Sequence, residues 1–152
     1  MTTPPDAPIL IVDDMPEMRS ILVRYLRLAV PSRLLLAAPD AKTALKLARR
    51  HQPNILITDF MIPGAHGIEL ARQLRAHVPD IYVVLMSVYN DTNLPFQKGG
   101  TPINAFLQKP FRLEALDYLL GAGQEPDVDT IHQRLWPPQR FHEYRLALQP
   151  PA

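Results

Sequence analysis

Five short apolar runs punctuate the chain: "ILIV" from Ile9, "RLLLAA" from Arg33, "NILIT" from Asn54, "IYVVLM" from Ile81 and "INAFL" from Ile103. Continuous runs of this kind suit strands buried on both faces, as in a parallel sheet. Between them, apolar residues recur with a helical period. After Pro16 they fall at Met18, Ile21, Leu22, Tyr25 and Leu26. After Asp40, which predicts an N-cap, they fall at Ala44, Leu45 and Ala48, and after Gly67 at Leu70, Ala71 and Leu74. Leu113, Leu116 and Leu120 make a last stripe, ended by Gly121 and Gly123. Strands and helices in alternation predict an α/β fold, a doubly wound five-stranded parallel sheet with helices on both faces.

The fourth crossover, "NDTNLPFQKGGTP", has the weakest pattern. Asn93 can cap a helix and Pro95 fits a first turn, but Gly99 and Gly100 would end it within a turn or two, so a short or frayed helix is expected. Beyond Gly123 the periodicity stops, and prolines at 126, 137, 138, 150 and 151 break any long helix. The chain therefore divides into a flexible N-terminal lead over residues 1–8, one domain over 9–123 and a Pro-rich tail over 124–152. That tail still carries Ile131, Leu135, Trp136, Phe141, Tyr144, Leu146 and Leu148, more apolar surface than a solvated linker calls for. It is expected to fold back near the fourth crossover or onto a second copy of the chain, forming a homodimer.

Composition narrows the function classes. A chain of 152 residues supports one domain with a sizeable core, and a formal net charge of +1 gives no electrostatic footprint for nucleic acid or an anionic membrane. With no cysteine there are no disulfides, thiolate metal sites or cysteine nucleophiles. The opening "MTTPPDAP" lacks the features of a signal peptide, and no apolar run approaches membrane-spanning length, so a cytoplasmic protein is expected. The tail is too short for a helix-turn-helix domain and carries acids as well as arginines, which argues against direct DNA binding; a stand-alone domain, or a piece of a longer architecture ended here, is expected.

Candidate chemistry gathers where a doubly wound sheet places its ligands, at the carboxyl ends of the strands near the reversal of strand order. Asp13 and Asp14 follow the first strand, Asp59 ends the third, Ser87 ends the fourth and Lys109 follows the fifth. Each has an ordinary structural role available: a turn aspartate, a strand-end serine, a solvated lysine. Their conjunction on one edge points to a site. Three carboxylates and one ammonium sum to a formal charge of about −2, which calls for a cation. Oxygen donors in an open site favour Mg²⁺, with a phosphate completing its shell. A carboxylate kept ionised there can attack phosphorus, while Lys109 and the Ser87 hydroxyl hold phosphoryl oxygens.

With "VDD", "ITDFMIPGAHG" with its proline four and glycine eight residues after the aspartate, Ser87 and "KPF", the chain from Ile9 to Leu120 resembles the receiver domain of two-component response regulators. The resemblance implies a flavodoxin-like sheet of order 2-1-3-4-5. It implies that Asp59 is the phosphoacceptor, that Asp14 ligates Mg²⁺ directly and Asp13 through water, and that Asp59 and the Met61 backbone carbonyl complete the protein's share of the metal shell. Lys109 would contact the phosphoryl group, Ser87 would be the switch hydroxyl and Phe106 the aromatic switch residue. A cis peptide from Lys109 to Pro110 would aim the lysine. Met61 and Tyr89 would flank the path of the hydrolytic water; both are bulky and neither can orient it, so a long-lived phosphoryl group is expected. The implied donor is a histidine kinase or a histidine phosphotransfer protein, and the implied output is altered binding of a downstream protein. Departures are Val88, where a small residue is common, His66, where an acid often precedes the glycine, and the irregular fourth helix, which belongs to the family's usual output face.

Two other classes compete. An aspartate-based phosphatase of the haloacid dehalogenase type uses similar groups but sets its nucleophile in an Asp-x-Asp motif after the first strand, whereas here the aspartates are adjacent and the third lies two strands on. A receiver fold that only binds protein, without phosphorylation, would not require Asp13, Asp14, Asp59 and Lys109 together. The expectation is a signalling module, not an enzyme: it promotes only its own phosphorylation and dephosphorylation.

Overall fold

The computed structural model describes residues 6–88, 103–109, 111, 113 and 116. Residues 1–5 of the lead, Tyr89, the fourth crossover, Pro110 with its peptide bond, Leu120 of the last stripe with the glycines after it, and the tail over 124–152 lie outside the described residues. The described elements run β1 (Ile9–Val12), α1 (Pro16–Ala29), β2 (Leu35–Ala38), α2 (Ala41–His51), β3 (Ile55–Asp59), β4 (Met61–Ile62), β5 (Ala65–His66), α3 (Gly67–His77), β6 (Tyr82–Ser87) and β7 (Ala105–Gln108).

Five strands form one parallel sheet in the order β2-β1-β3-β6-β7, which is the expected 2-1-3-4-5 once the small β4-β5 hairpin is set aside. The chain steps from β1 one way to β2, then back across β1 to β3 and onward to β6. Right-handed crossovers then place α1 on one face and α2 with α3 on the other, and α2 and α3 do contact each other. Strand order reverses between β1 and β3, so the crevice lies beyond Val12 and Asp59.

Burial follows the apolar runs. Every residue of β1 and β7 is buried, as is β3 up to Thr58 and β6 after Tyr82. β2 departs from the expectation: it lies at the sheet edge and leaves Ala37 exposed between buried Leu36 and Ala38. On α1 the core takes Leu22 and Leu26, with Met18 and Tyr25 partly buried, but Ile21 is exposed. Ile21 lies about 100° round the helix from Leu22 and about 140° from Leu26, outside the arc that faces the core. Asp40 caps α2 as its sequence position predicts, its side chain accepting from the Thr43 N–H at 2.7 Å, and this bond holds its carboxyl below the usual range.

Candidate functional site

β1 delivers the acidic pair. Its ladder ends at Val12, and the Asp13 N–H donates to the Ala38 carbonyl at 3.2 Å. Asp13 is wholly buried: Oδ1 accepts from the Met15 N–H at 2.9 Å and Oδ2 from Lys109 Nζ at 3.0 Å. A buried carboxylate needs such partners. With both of its oxygens engaged, Asp13 leaves the outward-facing Asp14 as the more accessible carboxylate.

Asp59 sits half-buried at the end of β3, with Oδ1 accepting from the Phe60 N–H at 2.9 Å and Oδ2 lying 3.5 Å from Lys109 Nζ. Burial pushes its carboxyl above the ordinary value, helped by the Asp13 charge, and outweighs the opposing pull of Lys109 and the Phe60 N–H. Lys109 follows β7, where its N–H donates to the Ser87 carbonyl at 2.7 Å, and its side chain bridges Asp13 and Asp59. Ser87 closes β6 and is nearly inaccessible. Asp13, Asp14 and Asp59 each offer a carboxylate oxygen, all within 4.8 Å of one another. The structure thus brings together five of the expected residues: Asp13, Asp14, Asp59, Ser87 and Lys109.

The remaining expectations divide. Phe106 is buried in the core, paired in register with Leu85. Met61 lies in β4 opposite His66, its side chain exposed, and Val88 is exposed beyond Ser87. His66 stacks on Phe60 with ring centroids 5.2 Å apart and planes 13° apart.

Two glycines explain the motif around Asp59. Gly64, at φ +93°, follows Pro63 in the sharp turn of the β4-β5 hairpin, a conformation that suits Pro then Gly. The Pro63 carbonyl accepts from the Ala41 N–H at 3.1 Å, tying the hairpin to the start of α2. Gly67 opens α3 so close to β3 that a Cβ would stand 2.3 Å from the Asp59 carbonyl oxygen. Its own N–H donates to the Phe60 carbonyl at 2.7 Å.

Two contacts escape the sequence reading. Thr58 Oγ1 donates to the Asp59 carbonyl at 2.9 Å, and Arg19 Nη1 donates to the Asp13 carbonyl at 2.7 Å. Arg19 had a signal: three and seven residues before Leu22 and Leu26, it falls on their core-facing side of α1, where a cation needs a reason.

The donor set is all oxygen, gathered from two adjacent strands with one carboxylate open to solvent, and it fits a hard divalent cation such as Mg²⁺. Among the described residues no helix is long and apolar enough to cross a membrane.

The sequence profile of the response regulator receiver domain matches residues 9–120. Among curated relatives, the C4-dicarboxylate transport transcriptional regulatory protein DctD of Pseudomonas aeruginosa is 34% identical over 71% of this chain and 23% of its own length. The response regulator GacA of the same species is 28% identical over 93% of this chain and 60% of its own. The chain thus spans less than two thirds of either relative. Among solved structures, a two-component transcriptional regulator from Clostridium phytofermentans superposes with a TM-score of 0.65 at 30% identity, covering 77% of this chain and 90% of that one. A chemotaxis response regulator of Vibrio cholerae, 24% identical, shares the fold with a TM-score of 0.67 over 78% of this chain and 98% of its own. Sheet order, the acidic cluster with its lysine and the profile match converge: the chain belongs to the response regulator receiver domain family of two-component systems.

Proposed function

We propose that the chain is a phospho-accepting signalling receiver: Asp59 takes a phosphoryl group from a phosphohistidine on a histidine kinase or histidine phosphotransfer protein in a Mg²⁺-dependent reaction, in the cytoplasm. The observation that carries this reading is Lys109 Nζ bridging Asp13 at 3.0 Å and Asp59 at 3.5 Å inside a cluster of three carboxylates. In the transfer an Asp59 carboxylate oxygen attacks phosphorus, the new O–P bond forms as the N–P bond breaks, and the imidazole of the donor leaves with the bonding pair. Burial, which raises the carboxyl's basicity, favours reaction with an electrophile once the group is ionised.

Asp14, Asp59 and the Met61 carbonyl would hold Mg²⁺ directly, with Asp13 acting through water because both its oxygens already have partners. The ion supplies neutralisation of phosphoryl charge. Lys109 starts between two carboxylates; once Asp59 becomes the acyl phosphate its carboxylate charge is gone, and the ammonium pairs with a phosphoryl oxygen instead. Ser87, at the neighbouring strand end, supplies the switch hydroxyl, and Phe106 the aromatic that responds. The altered surface changes affinity for a downstream protein, and the chain turns over no separate substrate. That one relative, DctD of Pseudomonas aeruginosa, is a transcriptional regulatory protein and another, GacA, a response regulator makes a regulatory output the natural class. A purely binding receiver would leave the Asp13–Lys109–Asp59 arrangement without a use.

Incubation with acetyl phosphate and Mg²⁺, followed by intact-mass measurement, tests the reading. Wild type gains a single phosphate, Asp59→Asn gains none, and Asp14→Asn labels slowly because an amide is a poorer ligand for Mg²⁺. Labelling of Asp59→Asn at the wild-type rate overturns it.

A further inference from the structure

The turn that carries the acidic pair is tied to the neighbouring strand by the Asp13 N–H, on the Ala38 carbonyl at 3.2 Å, but its carbonyl side has no such partner in the sheet. The parallel ladder stops at Val12, so the carbonyl of the fully buried Asp13 lies past the last strand pairing. The helix that follows begins at Pro16, which has no N–H to give, and its N-cap, Met15, has no side-chain capping bond. A buried carbonyl in such a place requires a donor from elsewhere. Arg19 supplies it: from the first turn of α1 its Nη1 reaches back 2.7 Å to the Asp13 carbonyl, while its own N–H closes the turn on the Met15 carbonyl at 3.1 Å. The main chain of the segment Asp13–Asp14–Met15 is therefore held by the Asp13 N–H on the Ala38 carbonyl and by Arg19, and the Asp13 carboxylate by the Met15 N–H and Lys109.

We infer that Arg19 is a positioning residue for the acidic turn, its guanidinium fixing the main chain so that Asp13 and Asp14 present their carboxylates together with Asp59 to one cation. The inference rests on the phosphoacceptor reading for its use of the cation. Arg19 touches neither the reacting atoms nor a metal ligand's carboxylate; it acts through the backbone between them. Groups in this relation to a metal site typically change affinity by about ten- to a hundredfold when lost, because the ligands must then be ordered on binding. Simple electrostatics gives the opposite sign. A guanidinium beside three carboxylates repels a dication, so if its charge were all that mattered, removing it would tighten binding.

The test compares wild type, Arg19→Met and Arg19→Lys by calorimetric titration with Mg²⁺ and by hydrogen exchange of the Met15 amide in metal-free protein. Arg19→Met, which keeps the apolar stem and loses the donor, is expected to weaken Mg²⁺ binding on the order of tenfold and to speed exchange at Met15. Arg19→Lys, which can still donate to the Asp13 carbonyl, is expected to recover most of both. If Arg19→Met does not fold, Arg19→Gln, too short to reach the carbonyl, takes its place with the same expected directions. Unchanged or tighter Mg²⁺ binding by the Met or Gln variant overturns the inference, as does a lysine variant as impaired as they are. Wild type that binds no Mg²⁺ overturns the phosphoacceptor reading itself; the positioning of the turn by Arg19 is then decided by Met15 exchange alone.

Discussion

At the scale of single residues, Asp59 carries a conflict between function and stability. Its folded-state carboxyl is raised by burial and by the Asp13 charge, despite Lys109 and the Phe60 N–H. A raised acid favours the folded state when protonated; that contribution is complete below the ordinary carboxylate range and is lost as pH rises through the folded value. At neutral pH without metal, the ionised Asp59 therefore costs stability. Asp59→Asn keeps the oxygen that accepts from Phe60 and removes the charge, so its denaturation midpoint in metal-free buffer should exceed wild type's near neutrality. The gap should close as pH falls below the ordinary aspartate range. Paired denaturant curves at neutral and acid pH check both halves, and a variant less stable than wild type at neutrality would mean that the Lys109 pairing dominates. The five charged and hydroxyl groups of the site were legible in the chain because each stands at a strand end, where apolar runs stop at a countable position. Thr58 was not, since its role lies in a hydrogen bond to a main-chain carbonyl that no side-chain pattern encodes, and Arg19 showed only its place on the core-facing side of α1, not the carbonyl it reaches.

Among the elements, the start of α3 sets how closely the helix approaches the candidate phosphoacceptor. Alanine would ordinarily favour a helix over glycine by about 1 kcal/mol. At Gly67 it would place a carbon 2.3 Å from the Asp59 carbonyl oxygen and 3.1 Å from Leu85 Cδ1, and the first of these is backbone that cannot swing away. Overpacking of this kind costs about 1–3 kcal/mol. Gly67→Ala is thus expected to lower stability despite the better propensity, and to slow labelling of Asp59 by shifting the strand end that holds it. Equal stability and labelling rate would put the α3 start farther from β3 than the structure does. The proline and glycine after Asp59 could be read as motif positions in the sequence, but their reasons are spatial: a turn at positive φ and a helix docked on a carbonyl. The same limit applies to Ile21 and Ala37. Periodicity names a helical stripe or a strand, while the width of contact with the sheet, which leaves both residues exposed, depends on neighbours far along the chain.

For the molecule as a whole, the site joins β1, β3 and β7, so whatever binds there is coupled to the folding of the entire parallel sheet. Folding draws Asp59 from a distant position onto the adjacent pair Asp13 and Asp14, so its repulsion with them arises only in the folded state, and a cation among the three relieves it only there. Binding to the folded state alone stabilises by RT ln(1 + [Mg²⁺]/Kd), about 1.4 kcal/mol at ten times Kd. For a domain of this size that corresponds to a rise in Tm of roughly 3–6 °C. Wild type should therefore gain thermal stability on adding Mg²⁺ and return to its starting Tm with a chelator. Asp59→Asn and Asp14→Asn should gain much less, so the stability order of wild type and Asp59→Asn at neutral pH narrows or inverts when the metal is present. KCl at matched ionic strength separates this from screening, which weakens repulsion between partly buried charges only modestly. A Tm that responds equally to Mg²⁺ and KCl, or equally in all three proteins, would show that the cluster of Asp13, Asp14 and Asp59 is not where the ion binds.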